Sequence, residues 1–139
     1  MNLKNIENLE PLKKNLFNIK FKSKEKVFGD GWYINSLTKS PIYFDSDVDT
    51  NNFKCLTITF MEYGNKGDIA FIEEAKYFNK LDEPSIIYED VDECGVVICG
   101  ELYTNCTVKR INFDKCHILN DDIKLCVITF KYDDVIRLV

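Results

Sequence analysis

The sequence predicts an α+β fold that is predominantly antiparallel β, arranged as a sandwich or a partly closed barrel, with an N-terminal helix. Short runs rich in β-branched and aromatic residues recur from residue 17 onward, and turn signals separate them every eight to twelve residues or so. Before them, apolar residues recur at spacings of three and four over residues 5–19. No segment of the 139 residues has the composition of a linker, so we expect a single domain spanning residues 1–139.

The helix predicted over residues 5–19 carries one apolar stripe, formed by Ile6, Leu9, Leu12, Leu16 and Ile19. Pro11 lacks an amide hydrogen, so it must lie in a first turn or divide the segment in two. After the helix, we predict short strands at residues 32–34 and 42–44. A clearly alternating strand follows at residues 55–60, and residues 63–68 form a turn.

Residues 69–81 allow two interpretations. Their apolar positions permit a helix capped by Asp68. The apolar run at residues 69–72 also follows a hairpin-like turn, so the segment could pair back onto residues 54–63. We favour a strand over residues 69–77 for that reason.

The C-terminal third has the pattern of a meander. Residues 96–103 and 106–113 flank a two-residue loop, and a hairpin in that register places Ile98 opposite Ile111 and Val96 opposite Phe113. Glu101 then lies diagonal to Arg110, within reach of a cross-strand ion pair. Two further strands are predicted at residues 123–130 and 134–139.

No motif predicts an enzyme, a metal site or a cofactor. The six cysteines include no Cys-x-x-Cys pair and mostly lie among aliphatic residues, so we expect reduced, buried thiols. His117 is the only histidine, and the acidic run at residues 45–49 lacks the glycine and glutamate that a calcium loop requires. We expect no cofactor. The N-terminus shows no secretory signal and no run is long enough to cross a bilayer, so we predict a cytoplasmic protein.

Charge is strongly separated along the chain. The first 26 residues hold seven lysines and three glutamates, whereas the rest hold 11 basic and 20 acidic residues. Six carboxylates and no basic residue lie between Asp82 and Glu93. Such a field attracts a basic partner and repels nucleic acid, and we expect no membrane partner. The lysines at residues 20–26 share one parity, which is typical of the solvated face of an edge strand.

In size, acidity, β-rich pattern and lack of a catalytic motif, the chain resembles bacterial immunity proteins that neutralise contact-dependent growth inhibition (CDI) toxins. The acidic loops at residues 45–49, 82–83 and 89–93 carry this resemblance, which is one of type without a shared motif. The net charge of −5 favours a soluble monomer or small oligomer. The resemblance implies a non-catalytic protein. It implies that the protein binds a cognate toxin domain, often a basic nuclease, and covers its active site.

The loops and an adjacent aromatic residue supply the predicted toxin-binding set: Asp45, Asp47, Asp49, Asp82, Glu83, Tyr88, Glu89, Asp90, Asp92 and Glu93. Tyr103 is a second candidate aromatic anchor. Three other functions stay open at this point, and one of them is a structural or scaffold subunit. A small-molecule-binding barrel or sandwich predicts an apolar cavity lined by Phe and Tyr. An enzyme of unrecognised type requires a carboxylate or His117 with a strongly perturbed pKa in a cleft.

Overall fold

Nine strands and one helix make up the part of the chain that the computed structural model describes, which is residues 11–24, 26–28, 32–44 and 54–138. The elements are β1 (Phe17–Ser23), β2 (Lys26–Phe28), β3 (Tyr33–Lys39), β4 (Cys55–Met61), α1 (Asp68–Phe78), β5 (Pro84–Val91), β6 (Val97–Tyr103), β7 (Thr107–Phe113), β8 (Leu125–Lys131) and β9 (Val135–Leu138). The first sheet has the order β2-β1-β5-β6-β9, and the second has the order β3-β4-β8-β7. Every pairing is antiparallel.

The two sheets form a sandwich rather than a closed barrel, which confirms the predominantly antiparallel β prediction. Strands β4 and β8 lie at the centre of the second sheet, and each alternates between buried and partly exposed residues. Their buried side chains are Leu56, Ile58, Phe60, Cys126, Ile128 and Phe130. Alternation with a period of two places all of these on the face toward the other sheet, which is why the strand at residues 55–60 was predictable.

Aromatic rings fill the space between the sheets. Phe21 of β1 lies 4.8 Å from Trp32 and 5.9 Å from Phe130, measured between ring centroids. Phe78 of α1 lies 5.3 Å from Phe130 in an edge-to-face contact. These rings contact one another in edge-to-face and tilted pairs, and the edge-to-face geometry is favourable for aromatic side chains. If the protein bound a small molecule, aromatic side chains were expected to line a cavity instead.

Residues 68–78 form a helix, so the strand favoured there is wrong. Phe71, Ala75 and Phe78 recur at spacings of four and three and are buried, whereas Ile69 is 67% exposed. Gly67 is the N-cap and no side chain caps the helix, so the predicted cap by Asp68 is wrong as well. The pairing with residues 54–63 is not formed, because β4 is flanked by β3 and β8. The apolar run at residues 69–72 does not distinguish a strand from a helix, because so short a run fits the periods of both.

The helix predicted over residues 5–19 is not formed in its described part, and its residues 5–10 lie outside the described residues. Residues 14–15 form a turn, and β1 begins at Phe17. Ile19 pairs with Tyr88 of β5, so long-range pairing outweighs the local helical spacing. The strand predicted at residues 42–44 is also absent, since residues 41–44 have no regular structure.

The predicted hairpin over residues 96–113 is not formed, although both of its strands are present. Both strands exist, but β6 belongs to the first sheet beside β5 and β9, whereas β7 belongs to the second sheet beside β8. Residues 104–106 therefore cross from one sheet to the other. Glu101 lies opposite Arg137 of β9, and Ile111 lies opposite Ile128 of β8. Among the described residues, Glu101 pairs with Lys39 of β3 rather than with Arg110 as predicted.

No helix among the described residues is both long and apolar enough to cross a membrane.

Candidate functional site

The basic and acidic segments of the sequence pair with each other. Strand β1, which carries the lysines, runs antiparallel beside β5, which lies inside the acidic segment. The ammonium of Lys20 lies 2.9 Å from a carboxylate oxygen of Glu89, and that of Lys24 lies 2.7 Å from Asp82. The hydrogen bond and charge of Asp82 raise the pKa of Lys24. The charge separation in the sequence is therefore compensated locally within the first sheet.

A third pair, between Lys13 and Glu93 at 2.8 Å, extends this pattern past the end of β5. The hydrogen bond from Lys13 lowers the pKa of the Glu93 carboxyl. Both side chains are largely exposed, so solvent and salt screen the attraction and its contribution to stability is small.

The predicted toxin-binding residues that the structure describes lie at both ends and on both faces of β5. Asp82 and Glu83 precede β5, and Asp92 and Glu93 follow it, so the eight residues of the strand separate the pairs by about 25 Å. The Asp92 carboxylate accepts hydrogen bonds of 2.9 Å from the main-chain amides of Cys94 and Val96, which closes the turn before β6.

The strand residues of that set divide between its two faces. Tyr88 and Asp90 lie on the face of β5 toward the second sheet, with Glu89 on the other. Asp45, Asp47 and Asp49 lie outside the described residues. A binding role for any of these residues stays a prediction.

A polar network lies between the sheets on the inward face of β5 and β6. The Tyr88 hydroxyl donates to Asp90 at 2.7 Å, and the Tyr103 hydroxyl donates to Glu101 at 2.5 Å. Lys39 of β3 donates to the other Glu101 oxygen at 2.8 Å, and its ammonium lies 4.1 Å from the Tyr88 ring centroid. The network therefore ties the edge of the second sheet to the middle of the first.

The tyrosines of this network are held in their protonated form. Burial first, then the hydrogen bond to Asp90, raises the pKa of Tyr88; burial and Glu101 do the same for Tyr103. Burial and Asp90 also raise the pKa of the Cys99 thiol. A phenol or thiol with a raised pKa donates a hydrogen bond at neutral pH and supplies no nucleophile. Tyr103 is buried, so it has no exposed surface to offer a partner.

Two of the other cysteines are buried, and His117 is exposed. Cys106 and Cys126 are buried, which raises the pKa of each thiol to about 12. His117 lies in an exposed loop, where its Nδ1 accepts a 3.3 Å hydrogen bond from the amide of Leu119. No group of three or more Asp, Glu, His and Cys side chains in the described residues is arranged to hold a metal ion.

A buried carboxylate that no sequence pattern singles out lies at one end of the second sheet. The side chain of Glu62 is only 5% exposed, and its Oε2 lies 3.2 Å from the ammonium of Lys124. The same ammonium lies 3.5 Å from Asp68. Burial, and then the neighbouring Asp68, raises the pKa of Glu62 although Lys124 lowers it. These three residues fix the base of the loop at residues 114–124 to β4 and α1.

Two apolar surfaces are exposed at opposite ends of the second sheet. Ile118 and Leu119 are almost fully exposed at the tip of the 114–124 loop, which joins β7 to β8. At the other end, Ile42 and Phe44 are exposed just after β3. Since the central strands are seven residues long, about 20 Å separates the two ends. Each end therefore presents exposed apolar side chains, and clusters of such side chains are candidate interaction surfaces.

No protein-family description matches the chain, and no curated protein sequence matches it. Solved structures do match it. One chain in the extended sheath–tube complex of PVC, an extracellular contractile injection system, is 13% identical with a TM-score of 0.65, and the match covers 99% of this chain and 98% of that one. A chain of the anti-feeding prophage baseplate, in a six-fold symmetrised reconstruction, is 9% identical with a TM-score of 0.65, over 93% and 96% of the two chains. A chain of the anti-feeding prophage tube-terminating cap is 14% identical with a TM-score of 0.66, over 93% and 91%. At these identities the likeness shows a shared fold.

These comparisons overturn the prediction of an immunity protein. The similar chains belong to injection-system particles rather than to toxin–immunity complexes, so the resemblance to CDI immunity proteins and the toxin partner inferred from it are wrong. Size and acidity suggested that resemblance, and they are properties of amino-acid composition that many unrelated folds share. The prediction of a toxin inhibitor has no support once the fold is known.

Proposed function

We propose that this chain is a non-enzymatic structural subunit that joins copies of itself into a tube-like assembly, of the kind found in contractile injection systems. The observation that carries the proposal is the extent of the fold likeness. The matches span 93–99% of this chain and 91–98% of the three similar chains. The whole fold is therefore shared, including both sheets, rather than a small part of a larger protein.

The two apolar ends of the second sheet support the proposal independently. They differ in sequence and in shape, since one is a projecting loop and the other is a cleft beside residues 41–43. Contact between two different surfaces of identical subunits is heterologous, and heterologous contacts build rings or open filaments rather than closed dimers. A tube is one product of such contacts.

The polar groups inside the sandwich support a structural role. Lys39 and Tyr103 each donate a hydrogen bond to the Glu101 carboxylate, and Tyr88 donates one to Asp90. Such groups rigidify a sandwich, because each buried donor has its acceptor. A subunit that carries load between neighbours benefits from that rigidity, whereas catalysis requires groups directed at a substrate.

Light scattering after size-exclusion chromatography, followed by negative-stain electron microscopy, tests this proposal on the purified full chain. We expect particles much larger than the 16.2 kDa subunit, with a tube or stacked-ring outline, whose fraction rises with protein concentration. A protein that stays monomeric up to its solubility limit, at low and at moderate salt, would contradict the proposal.

A further inference from the structure

We propose that the tip of the 114–124 loop of one copy inserts into the cleft at the opposite end of the second sheet of the next copy, and that this contact joins subunits head to tail. The inference rests on the proposed function, because it names the partner and the surfaces of the same assembly. The occupant of the cleft is a second copy of this chain.

The loop tip is built to project. Ile118 and Leu119 are 101% and 88% exposed, the largest apolar exposure of any two consecutive residues in the described part of the chain. Main-chain and side-chain bonds hold the tip in shape: Asn120 N donates to the His117 carbonyl at 3.0 Å, and Asp122 N donates to the Asn120 side chain at 2.9 Å. A tip ordered before contact loses less conformational entropy on binding.

The base of the loop is anchored as well. The amide of Leu125 donates to the Asp114 carboxylate at 2.6 Å, which ties the two ends of the loop together. Lys124 reaches Glu62 and Asp68 on the neighbouring elements. The apolar tip therefore has a fixed direction relative to the sheet.

The cleft at the other end has a matching size and chemistry. Its volume is about 250 Å³, and its apolar wall is formed by Pro41, Ile42, Tyr43, Tyr132 and Val135. At about 30 Å³ per water molecule, that volume holds about eight waters. The side chains of Ile118 and Leu119 contain eight carbon atoms between them, so the pair matches the space.

Charges of both signs flank the tip and the cleft. Asp121 and Asp122 follow the tip, and Lys115 precedes it. The rim of the cleft holds Asp133, Asp134 and Lys54, whose ammonium donates to the main-chain carbonyl of Asp133 at 3.1 Å. Each surface therefore offers one lysine that can pair with a carboxylate of the other copy.

The contact repeats in one direction. Each copy presents a tip at one end and a cleft at the other, about 20 Å away along the strands. A copy whose tip fills the cleft of its neighbour still has its own cleft free for the tip of a third copy. The contact therefore adds subunits without closing into a dimer. Where several copies lie side by side, the same contact is made several times at once, and its strength multiplies.

A photoreactive benzophenone amino acid at position 119 of the full chain tests the contact directly. We expect irradiation of the assembled protein to link position 119 to peptides that contain residues 41–44 or 132–135 of another copy, identified by mass spectrometry. Links to other surfaces of a second copy would overturn the inference.

Three variants extend the test. Leu119→Asp places a charge at the tip, and Val135→Glu places one in the cleft wall; both positions are at the surface, so the fold is expected to persist. Tyr77→Asp changes an exposed aromatic residue of α1 that belongs to neither surface. Since each of the first two variants replaces an apolar contact, we expect the association constant for end-to-end growth to fall by about tenfold or more. Tyr77→Asp should leave it unchanged.

The outcomes separate the inference from the proposed function. If the unmodified protein assembles and Leu119→Asp assembles equally well, the loop-to-cleft contact is wrong while the structural role stands. If Leu119→Asp and Val135→Glu give particles that no longer lengthen, the contact is supported. If the unmodified protein does not assemble at all, both proposals are overturned.

Discussion

Lys39 and Glu101 join the two sheets through one ion pair, although 62 residues separate them in the sequence. Lys39 lies on β3 at the edge of the second sheet, and its ammonium is 2.8 Å from the Glu101 carboxylate on β6 of the first. The other Glu101 oxygen accepts the hydroxyl of Tyr103. The Glu101 carboxylate therefore holds the edge strand β3 and orients the buried Tyr103, and in this way it links the second sheet to the first.

The Tyr103→Phe variant tests how much this network stabilises the sandwich. It removes a buried hydroxyl and leaves the Glu101 oxygen without that donor, so we expect the free energy of unfolding to fall by about 1–2 kcal/mol. Urea denaturation measures the change. Tyr33→Phe is the matched control, because it removes a hydroxyl from an exposed tyrosine and should change stability by less than about 0.5 kcal/mol. Equal stability of Tyr103→Phe and the unmodified protein would show that the Tyr103–Glu101 hydrogen bond makes no net contribution to the free energy of unfolding.

Two alanine substitutions in α1 distinguish the observed helix from the strand that the sequence suggested. Residues 69 and 71 lie on the same face of a strand but on nearly opposite faces of a helix. Phe71 is 1% exposed, so we expect Phe71→Ala to destabilise the fold by about 3–5 kcal/mol. Ile69 is largely exposed, and Ile69→Ala should cost less than about 0.5 kcal/mol. Comparable losses in thermal or urea unfolding would favour a strand.

Local patterns in the sequence identified individual strands, whereas the assignment of strands to sheets required information that the sequence does not carry locally. The strand at residues 55–60 was recognisable because Leu56, Ile58 and Phe60 alternate with polar residues. Strands β6 and β7 were recognisable for the same reason, but alternation is identical whether two strands pair together or lie in opposite sheets. The hairpin prediction failed at that step.

The functional interpretation is wrong because it depends on the order of charges along the chain, whereas the fold places opposite charges side by side. The acidic run from Asp82 to Glu93 suggested a charged surface, yet Lys13, Lys20 and Lys24 lie beside three of its carboxylates. That compensation depends on β1 lying beside β5, a pairing between segments more than 60 residues apart. The Glu62–Lys124 pair was invisible for the same reason, because neither residue stands out until β4 and β8 are adjacent.

The buried Glu62 carboxyl should give the protein a specific dependence on pH. Its pKa is raised above its ordinary value of 4.5, because burial and Asp68 oppose the charged form more than Lys124 favours it. The folded state therefore binds this proton more tightly than the unfolded state does. Linkage then makes the contribution of Glu62 to stability increase as pH falls from above the raised pKa toward 4.5, and decrease as pH rises through that window.

The Glu62→Gln variant isolates that contribution from those of the other carboxyls. We expect the stability of the unmodified protein relative to Glu62→Gln to improve as pH is lowered from 7 through the window above about 4.5, since glutamine does not titrate. Urea unfolding of both proteins across that range measures the difference. Glu93→Gln is the opposite control: Lys13 lowers the pKa of Glu93, so its contribution is lost as pH falls. A stability difference between the unmodified protein and Glu62→Gln that does not vary with pH would refute a raised pKa.

Exchanging the charges of Lys20 and Glu89 tests whether pairing between β1 and β5 depends on their opposite charges. Glu89 is the more buried partner, with a side chain 14% exposed, and Lys20 is about half exposed. Lys20→Glu places two carboxylates together, so we expect a loss of about 1 kcal/mol, smaller at high salt because ions screen the repulsion. The double variant Lys20→Glu with Glu89→Lys restores opposite charges and should recover most of that loss. The same exchange at the exposed Lys13–Glu93 pair should change stability by no more than a few tenths of a kcal/mol. If the double variant is no more stable than Lys20→Glu alone, the pair does not act through charge, and the main-chain hydrogen bonds and apolar residues of β1 and β5 hold the two strands together.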